Sequence, residues 1–165
     1  MVSAGGHNRY VIDASSWISV EGNPAQNRIL FFLGKLIDDG KIQCPPEAWD
    51  EVDRCPWVKA WLEQHYIRFV KRISDIEYLM LVGRVTHQFS TMAGARRRKE
   101  RADQYIVATA AHLNATSNPT RYRVVCEETD TQRPSRKMVT ACKAFNVESM
   151  SLLEMLREEF PDEGF

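Results

Sequence analysis

The chain has 165 residues, of which 44% are hydrophobic and 27% are charged. This composition is typical of one soluble globular domain and excludes a disordered or fibrous chain. The formal net charge is zero, which excludes a global basic field of the kind that attracts nucleic acids. Any nucleic-acid binding therefore has to come from a local patch.

The four cysteines are widely separated, with no Cys-x-x-Cys pair and no Cys/His cluster at zinc spacing. This spacing predicts buried thiols in a reducing compartment and not a disulfide framework. No signal-peptide pattern opens the chain, and no apolar run has membrane-spanning length. We therefore expect a cytoplasmic protein with no membrane association, in which residues 1–8 form a flexible leader and residues 9–165 form a single domain.

Short apolar runs alternate with helical patterns along the chain, which is typical of α/β proteins. The runs that predict strands are Arg9–Ile12, Lys41–Cys44, Arg123–Cys126 and Val147–Met150, with an extended segment at Ile67–Val70. The periodic segments that predict helices are Ile29–Asp38, Glu47–Val52, Val58–His65, Asp75–Phe89, Ala102–Leu113, Ser135–Phe145 and Leu152–Phe160. Because strands separated by helices need crossover connections, we expect a three-layer α/β/α sandwich with a mostly parallel central sheet.

Acidic side chains follow two of the predicted strands. Asp13 comes directly after the apolar run Tyr-Val-Ile, and Glu128 follows the later run Val-Val-Cys. In parallel sheets, functional groups gather beyond the carboxyl ends of the strands. Glu51, after the second strand, and Asp103, at the start of a later helix, are further candidates.

Carboxylates a few ångströms apart repel and raise one another's pKa, so a cluster persists only if a cation or a proton neutralises it. Mg²⁺ and Mn²⁺ prefer such oxygen ligands, and ions held in this way support nuclease chemistry. Asp13 is the strongest candidate, because an acid at the end of an apolar strand is costly to bury without a partner. The alternatives are a helix-capping role for Asp103 and a solvated helix face for Glu51.

Four segments resemble a known family in sequence and in order: YVIDASS, WDEV, RADQYIVATA and VVCEETD. They look like the four acidic motifs of PIN-domain ribonucleases, the VapC-type toxins among them. The resemblance spans Arg9 to about Glu159 and is closest to a longer bacterial subgroup with a Trp-rich segment like Pro56–Trp61. It implies a PIN-like sheet with the acids at one end, a Mg²⁺ or Mn²⁺ cofactor and endonucleolytic hydrolysis of RNA.

Carried over by position, the resemblance implies specific roles for individual residues. Asp13, Glu51, Asp103 and Glu128 are the implied catalytic acids, and all of these except Glu51 are implied metal ligands. Ser15 is implied as a hydroxyl beside the substrate.

Two assignments stay open on the sequence alone. The fourth motif commonly has Asp where this chain has Glu128, and the neighbouring Glu127 and Asp130 are alternatives. Glu47 replaces Glu51 if the helix after the second strand starts at a different residue.

One dense basic run, residues 95–101, lies immediately before Asp103. Arginine suits phosphate because its guanidinium group binds in a bidentate manner, so we expect Arg97, Arg98 and Arg101 to bind the RNA backbone. The alternatives are a solvated loop and a docking surface for an acidic antitoxin.

The resemblance also implies partners: a cognate antitoxin protein and a second copy of the chain in a homodimer. Three other functions stay open. One is a PIN-fold protein that binds RNA or a partner without cutting. Another is a Mg²⁺-binding adhesion-type module, disfavoured by Trp17 at a position that needs serine. The third is an aspartyl phosphotransferase of the haloacid-dehalogenase kind, which lacks its second acid because Ser15 stands there.

Overall fold

In the computed structural model, which describes residues 7–89, 102–128 and 138–165, one sheet of four parallel strands forms the centre of the molecule. The strands are β1 (Asn8–Ile12), β2 (Ile42–Gln43), β3 (Arg121–Val125) and β4 (Ser149–Met150). Their order across the sheet is β2-β1-β3-β4. Helices flank the sheet, so the predicted three-layer α/β/α sandwich is confirmed.

The helices connect the strands as crossovers. They are α1 (Ala14–Val20), α2 (Gln26–Asp38), α3 (Pro46–Trp49), α4 (Pro56–Glu63), α5 (Tyr66–Phe69), α6 (Ile76–Gln88), α7 (Asp103–Thr116), α8 (Met138–Ala144) and α9 (Leu152–Glu159), with 3-10 turns at Val52–Arg54 and Pro161–Glu163. Within the described ranges, none of them combines the length and the apolar composition that a membrane crossing needs.

Several details differ from the sequence-based expectations; the predicted helix Glu47–Val52, for example, ends at Trp49 as α3. Helix α1 was not predicted, because its Ser-Ser pair interrupts the helical period of apolar residues. The segment Ile67–Val70 was expected to be extended, but only Val70 is, as the partner of Cys44 in an isolated parallel bridge, and the preceding residues form α5. Asn8, which was expected to belong to the flexible leader, is the first residue of β1 and pairs with Arg121; residues 1–6 of that leader lie outside the described residues.

The core is built around β1. Tyr10, Val11 and Ile12 are completely buried, although successive side chains on a strand point to opposite faces of the sheet. Burial of every position is typical of a central parallel strand covered by helices on both faces. Asp13 directly follows this buried strand, so the free-energy cost of burying its charged side chain is high.

The sheet order fixes where a ligand would bind. From β1 the chain continues to β2 on one side, whereas β3 and β4 lie on the other side. In open α/β sheets, ligands bind beyond the carboxyl ends of the strands at such a switch point. The Asp13 N–H donates a 2.9 Å hydrogen bond to the Val125 carbonyl at the end of β3, so Asp13 lies at the crevice between β1 and β3.

Candidate functional site

Asp13 is the residue between β1 and α1, and it caps the helix. Its Oδ2 accepts hydrogen bonds from the Ser15 N–H at 3.1 Å and from the Ser15 Oγ at 2.5 Å. This is the ordinary geometry of an aspartate at a helix N-terminus. The side chain is nevertheless buried, with 7% of its surface exposed.

The second carboxylate oxygen of Asp13, Oδ1, is buried and has no hydrogen-bond partner among the described residues. Burial raises the pKa of Asp13, while the hydrogen bonds from Ser15 and from the Ala14 N–H lower it; burial is the largest of these effects. A buried carboxylate oxygen without a partner is costly. The site therefore favours either a proton or a cation at Oδ1.

Two further carboxylates approach that of Asp13. Asp13, Glu51 and Asp103 each place one carboxylate oxygen within 4.8 Å of the others. Glu51 lies in the turn after α3, and its Oε1 accepts a 3.1 Å hydrogen bond from the Ala102 N–H. Asp103 is the first residue of α7. We call Asp13, Glu51 and Asp103 the carboxylate cluster.

The carboxylate cluster fits a hard divalent cation. Its donors are all oxygens, which Mg²⁺ and Mn²⁺ prefer, and one of its members carries the buried oxygen without a partner. Two oxygens on opposite sides of a Mg²⁺ ion are about 4.2 Å apart, twice the metal–oxygen bond length. The three oxygens lie within 4.8 Å of one another, so any pair more than about 4.2 Å apart has to move slightly closer to bind one ion.

Glu128 lies outside the carboxylate cluster. Its carboxylate accepts hydrogen bonds from the first two amides of α8, those of Met138 and, at 3.1 Å, Val139. These bonds direct the Glu128 carboxylate to α8. Burial raises the pKa of the Cys126 and Cys142 thiols, and the nearby charges of Glu128 and Asp13 raise it further.

Glu127 supports the site in a way that its sequence position does not indicate. Its N–H donates a 3.0 Å hydrogen bond to the Ser15 Oγ, and its carboxylate accepts hydrogen bonds from the Leu152 N–H at 2.7 Å and the Ser16 Oγ at 3.4 Å. The residues after β3 therefore link α1 to the start of α9. In the sequence, the acid-rich run that starts at Glu127 draws attention to this segment, but it does not predict which residues Glu127 hydrogen-bonds.

The hydroxyl of Ser15 is used within the protein. It donates to Asp13 and accepts from the Glu127 N–H, so it positions the carboxylate that carries the unpartnered oxygen. Trp17 is completely buried, with its ring centre 6.1 Å from that of Phe69. This residue packs in the core and does not face a ligand.

The remaining sequence-based expectations have different outcomes. Of the two alternatives in the segment after β2, Glu51 and not Glu47 belongs to the carboxylate cluster. Arg97, Arg98 and Arg101 lie outside the described residues, as does Asp130. Their expected roles stay predictions.

Fold and site together define an α/β protein with a parallel sheet and three carboxylates at its carboxyl edge. Over residues 10–161 the chain matches the family described as a domain of unknown function, DUF4411, and it belongs to that family. No curated protein matches the chain. The family description states no activity, so the resemblance to PIN-domain ribonucleases stays a prediction.

Proposed function

We propose that this protein is a divalent-metal-dependent endoribonuclease of the PIN type, with Mg²⁺ or Mn²⁺ as cofactor. The observation that supports the proposal most strongly is the buried Oδ1 of Asp13, which has no hydrogen-bond partner among the described residues. The neighbouring Glu51 and Asp103 each place a carboxylate oxygen within 4.8 Å of a carboxylate oxygen of Asp13. The mutual repulsion of three carboxylates opposes their convergence unless a proton or a cation neutralises them. A hard cation makes their convergence favourable.

In this proposal the protein residues have distinct tasks. Asp13, Glu51 and Asp103 hold the metal, and Ser15 keeps the Asp13 carboxylate oriented through its 2.5 Å hydrogen bond. A divalent ion in such a site polarises the phosphate and lowers the pKa of a bound water. We expect products with 5′-phosphate and 3′-hydroxyl ends. The role of Glu128 as a ligand is not part of the proposal, since its carboxylate caps α8.

The choice of RNA as substrate has two supports. The first is the resemblance of four segments to the acidic motifs of PIN ribonucleases. The second is the basic run at residues 95–101, which immediately precedes Asp103 in the chain. Arginine clusters bind phosphate backbones through bidentate, charge-assisted hydrogen bonds.

The proposed biological setting is that of a toxin held in check by a cognate antitoxin in the cytoplasm. The resemblance to VapC-type toxins supports the antitoxin. All four cysteines are free and buried, which suits a reducing compartment. Co-purification with the product of an adjacent gene, followed by its identification, tests the pairing.

The experiment is cleavage of total RNA by purified protein in Mn²⁺ and in EDTA, with analysis of the product ends. We expect cleavage in Mn²⁺ only, and its loss in Asp13→Asn and Asp103→Asn. Asp50→Asn is the matched control, because it removes the same charge from an exposed residue next to Glu51 and outside the cluster. Binding of RNA without cleavage by the wild type would refute the nuclease and favour a PIN-fold binding protein.

A further inference from the structure

Gln104 is a buried polar residue in the first turn of α7, directly after Asp103 of the carboxylate cluster. Only 3% of its surface is exposed. Its carboxamide oxygen Oε1 is buried and has no hydrogen-bond partner among the described residues. An amide oxygen buried in this way destabilises the folded state, and an apolar side chain of similar size, such as methionine, would avoid that cost. The fold alone therefore does not explain the amide.

The direction of α7 puts Gln104 at the edge of the sheet where the cluster lies. Near the end of α7, the side chain of Asn114 forms hydrogen bonds of 2.7 and 3.0 Å with the backbone of Tyr122, near the start of β3. At the other end of the helix, Asp103 approaches Asp13 beyond the carboxyl end of β1. The helix thus runs antiparallel to β3 and contacts both β1 and β3. Its first turn lies at the crevice between these two strands.

The unpartnered atom of Gln104 selects the chemistry of its ligand. A carboxamide oxygen only accepts hydrogen bonds, so its partner has to be a donor. The oxygens of a phosphodiester bond are acceptors and cannot fill this role. Each ribose of RNA carries a 2′-hydroxyl, which can donate and which DNA lacks. Base amino groups are a second source of donors, and they are common to RNA and DNA.

The proposed reaction needs a group that recognises ribose. Attack by water, with products that carry a 3′-hydroxyl, does not use the 2′-hydroxyl as a nucleophile, so the same chemistry is open to DNA. Preference for RNA then has to come from binding. A site that hydrogen-bonds a hydroxyl of its substrate strongly rejects the analogue that lacks it.

We propose that the Oε1 of Gln104 accepts a hydrogen bond from a ribose 2′-hydroxyl next to the scissile phosphate, and that this contact makes the site select RNA over DNA. The inference rests on the proposed function and adds the residue that identifies the sugar. Gln104 is a substrate-binding residue in this account, and the metal ligands remain Asp13, Glu51 and Asp103.

The first test compares cleavage of two oligonucleotides in Mn²⁺. One is an RNA that contains a site cut in total RNA, and the other carries a single 2′-deoxy nucleotide, placed in turn on either side of that site. We expect one of these changes to slow the wild type about tenfold, the value of one hydrogen bond. Gln104→Met cuts the RNA about tenfold more slowly than the wild type, and the 2′-deoxy change has no further effect on it.

Gln64→Met is the matched control for this comparison. It makes the same substitution at an exposed glutamine that ends α4. We expect Gln64→Met to cut RNA at the wild-type rate and to keep the full 2′-deoxy effect.

The second test measures binding and stability without cleavage, in EDTA. By fluorescence anisotropy, the wild type should bind a mixed-sequence single-stranded RNA about tenfold more tightly than the DNA of the same sequence with deoxyuridine for thymidine. Gln104→Met should bind both equally. Without nucleic acid, Gln104→Met should melt about 2–4 °C above the wild type, because it removes a buried acceptor that has no partner among the described residues.

Several results overturn the proposal. They are a wild type that treats RNA and its 2′-deoxy forms alike, a 2′-deoxy effect of the same size in Gln104→Met, and a melting temperature of Gln104→Met below that of the wild type, which would assign the amide to the fold. A Gln104 effect that disappears when inosine replaces guanosine, and not with 2′-deoxy nucleotides, would assign Oε1 to a base.

Failure of this inference differs from failure of the proposed function. Equal cleavage of RNA and DNA keeps the nuclease and removes the sugar contact. Tighter binding of RNA than of DNA through Gln104, without any cleavage in Mn²⁺, keeps the sugar contact and removes the nuclease.

Discussion

The Ser15 hydroxyl donates a 2.5 Å hydrogen bond to one oxygen of Asp13, and the other oxygen of that carboxylate is buried without a partner among the described residues. The same hydroxyl accepts the Glu127 N–H at 3.0 Å. One side chain thus joins the ends of two adjacent strands and fixes the direction in which Asp13 presents its unpartnered oxygen.

Replacement of Ser15 by Ala is expected to weaken metal binding without removing a ligand. Groups that orient metal ligands through hydrogen bonds typically contribute 10- to 100-fold to affinity, so we expect a loss of about this size for Mn²⁺, measured by calorimetry. The free energy of unfolding should also fall by about 1–3 kcal/mol, because the Glu127 N–H loses its acceptor. Ser15→Thr keeps the hydroxyl and should restore most of the affinity; equal affinities in wild type and Ser15→Ala would contradict this role.

Glu128 is expected to matter for stability more than for metal. Its carboxylate caps α8 through Met138 and Val139, and loss of a cap typically costs about 0.5–2 kcal/mol. Urea unfolding of Glu128→Ala should show a decrease in this range, while Mn²⁺ affinity changes far less than in Asp103→Asn. If Glu128→Ala loses Mn²⁺ as completely as Asp103→Asn does, Glu128 is a ligand and its capping role is secondary.

The basic run before α7 is expected to supply salt-dependent RNA affinity. Replacement of Arg97, Arg98 and Arg101 by Ala removes three cations, and removal of each phosphate-binding cation reduces the slope of log affinity against log salt by about 0.7 for a single strand. Filter binding or fluorescence anisotropy at several salt concentrations measures this slope. Mn²⁺ affinity serves as the control, because it should not change. An unaltered slope would assign the run to another partner.

The stability of the metal-free protein is expected to fall as pH rises, in a way that depends on Asp13. Burial raises the pKa of Asp13, so the folded state binds its proton more tightly than the unfolded state, in which the pKa is about 3.9. The contribution of Asp13 is therefore fully present below about pH 4 and is lost as pH rises through the folded pKa. In EDTA, the wild type should therefore lose stability relative to Asp13→Asn as pH rises through this window, until the variant is the more stable of the two. A difference in unfolding free energy that does not depend on pH would contradict the burial of a titrating Asp13.

The sequence predicts the fold well where pattern and burial agree. The apolar run of β1, the helix periods of α2, α6 and α7 and the apolar run of β3 each have one interpretation, because the same residues satisfy local preference and core packing. It fails at α1 and α5, which are short. Capping by Asp13 defines α1, and in α5 tertiary packing of Phe69 overrides the extended preference of Ile67.

The site is predictable in part for a similar reason. Asp13 follows from its strand, and Glu51 and Asp103 follow from the motif order, but which oxygens converge depends on side-chain direction. Glu128 illustrates the limit: it occupies the expected strand end, yet its carboxylate turns to the amides of α8. No spacing rule distinguishes a carboxylate that caps a helix from one that faces a cluster.

The most direct measurement of the central claim is the melting temperature of wild type and Asp13→Asn, each in EDTA and in saturating Mn²⁺. Without metal, Asp13→Asn should be at least as stable as the wild type, because it removes a buried charge while asparagine keeps the N-cap acceptor. With Mn²⁺ at about 100 times the dissociation constant, the wild type should gain about 2.7 kcal/mol and the order should reverse. If Mn²⁺ stabilises neither protein, or both equally, the carboxylate cluster does not bind the metal.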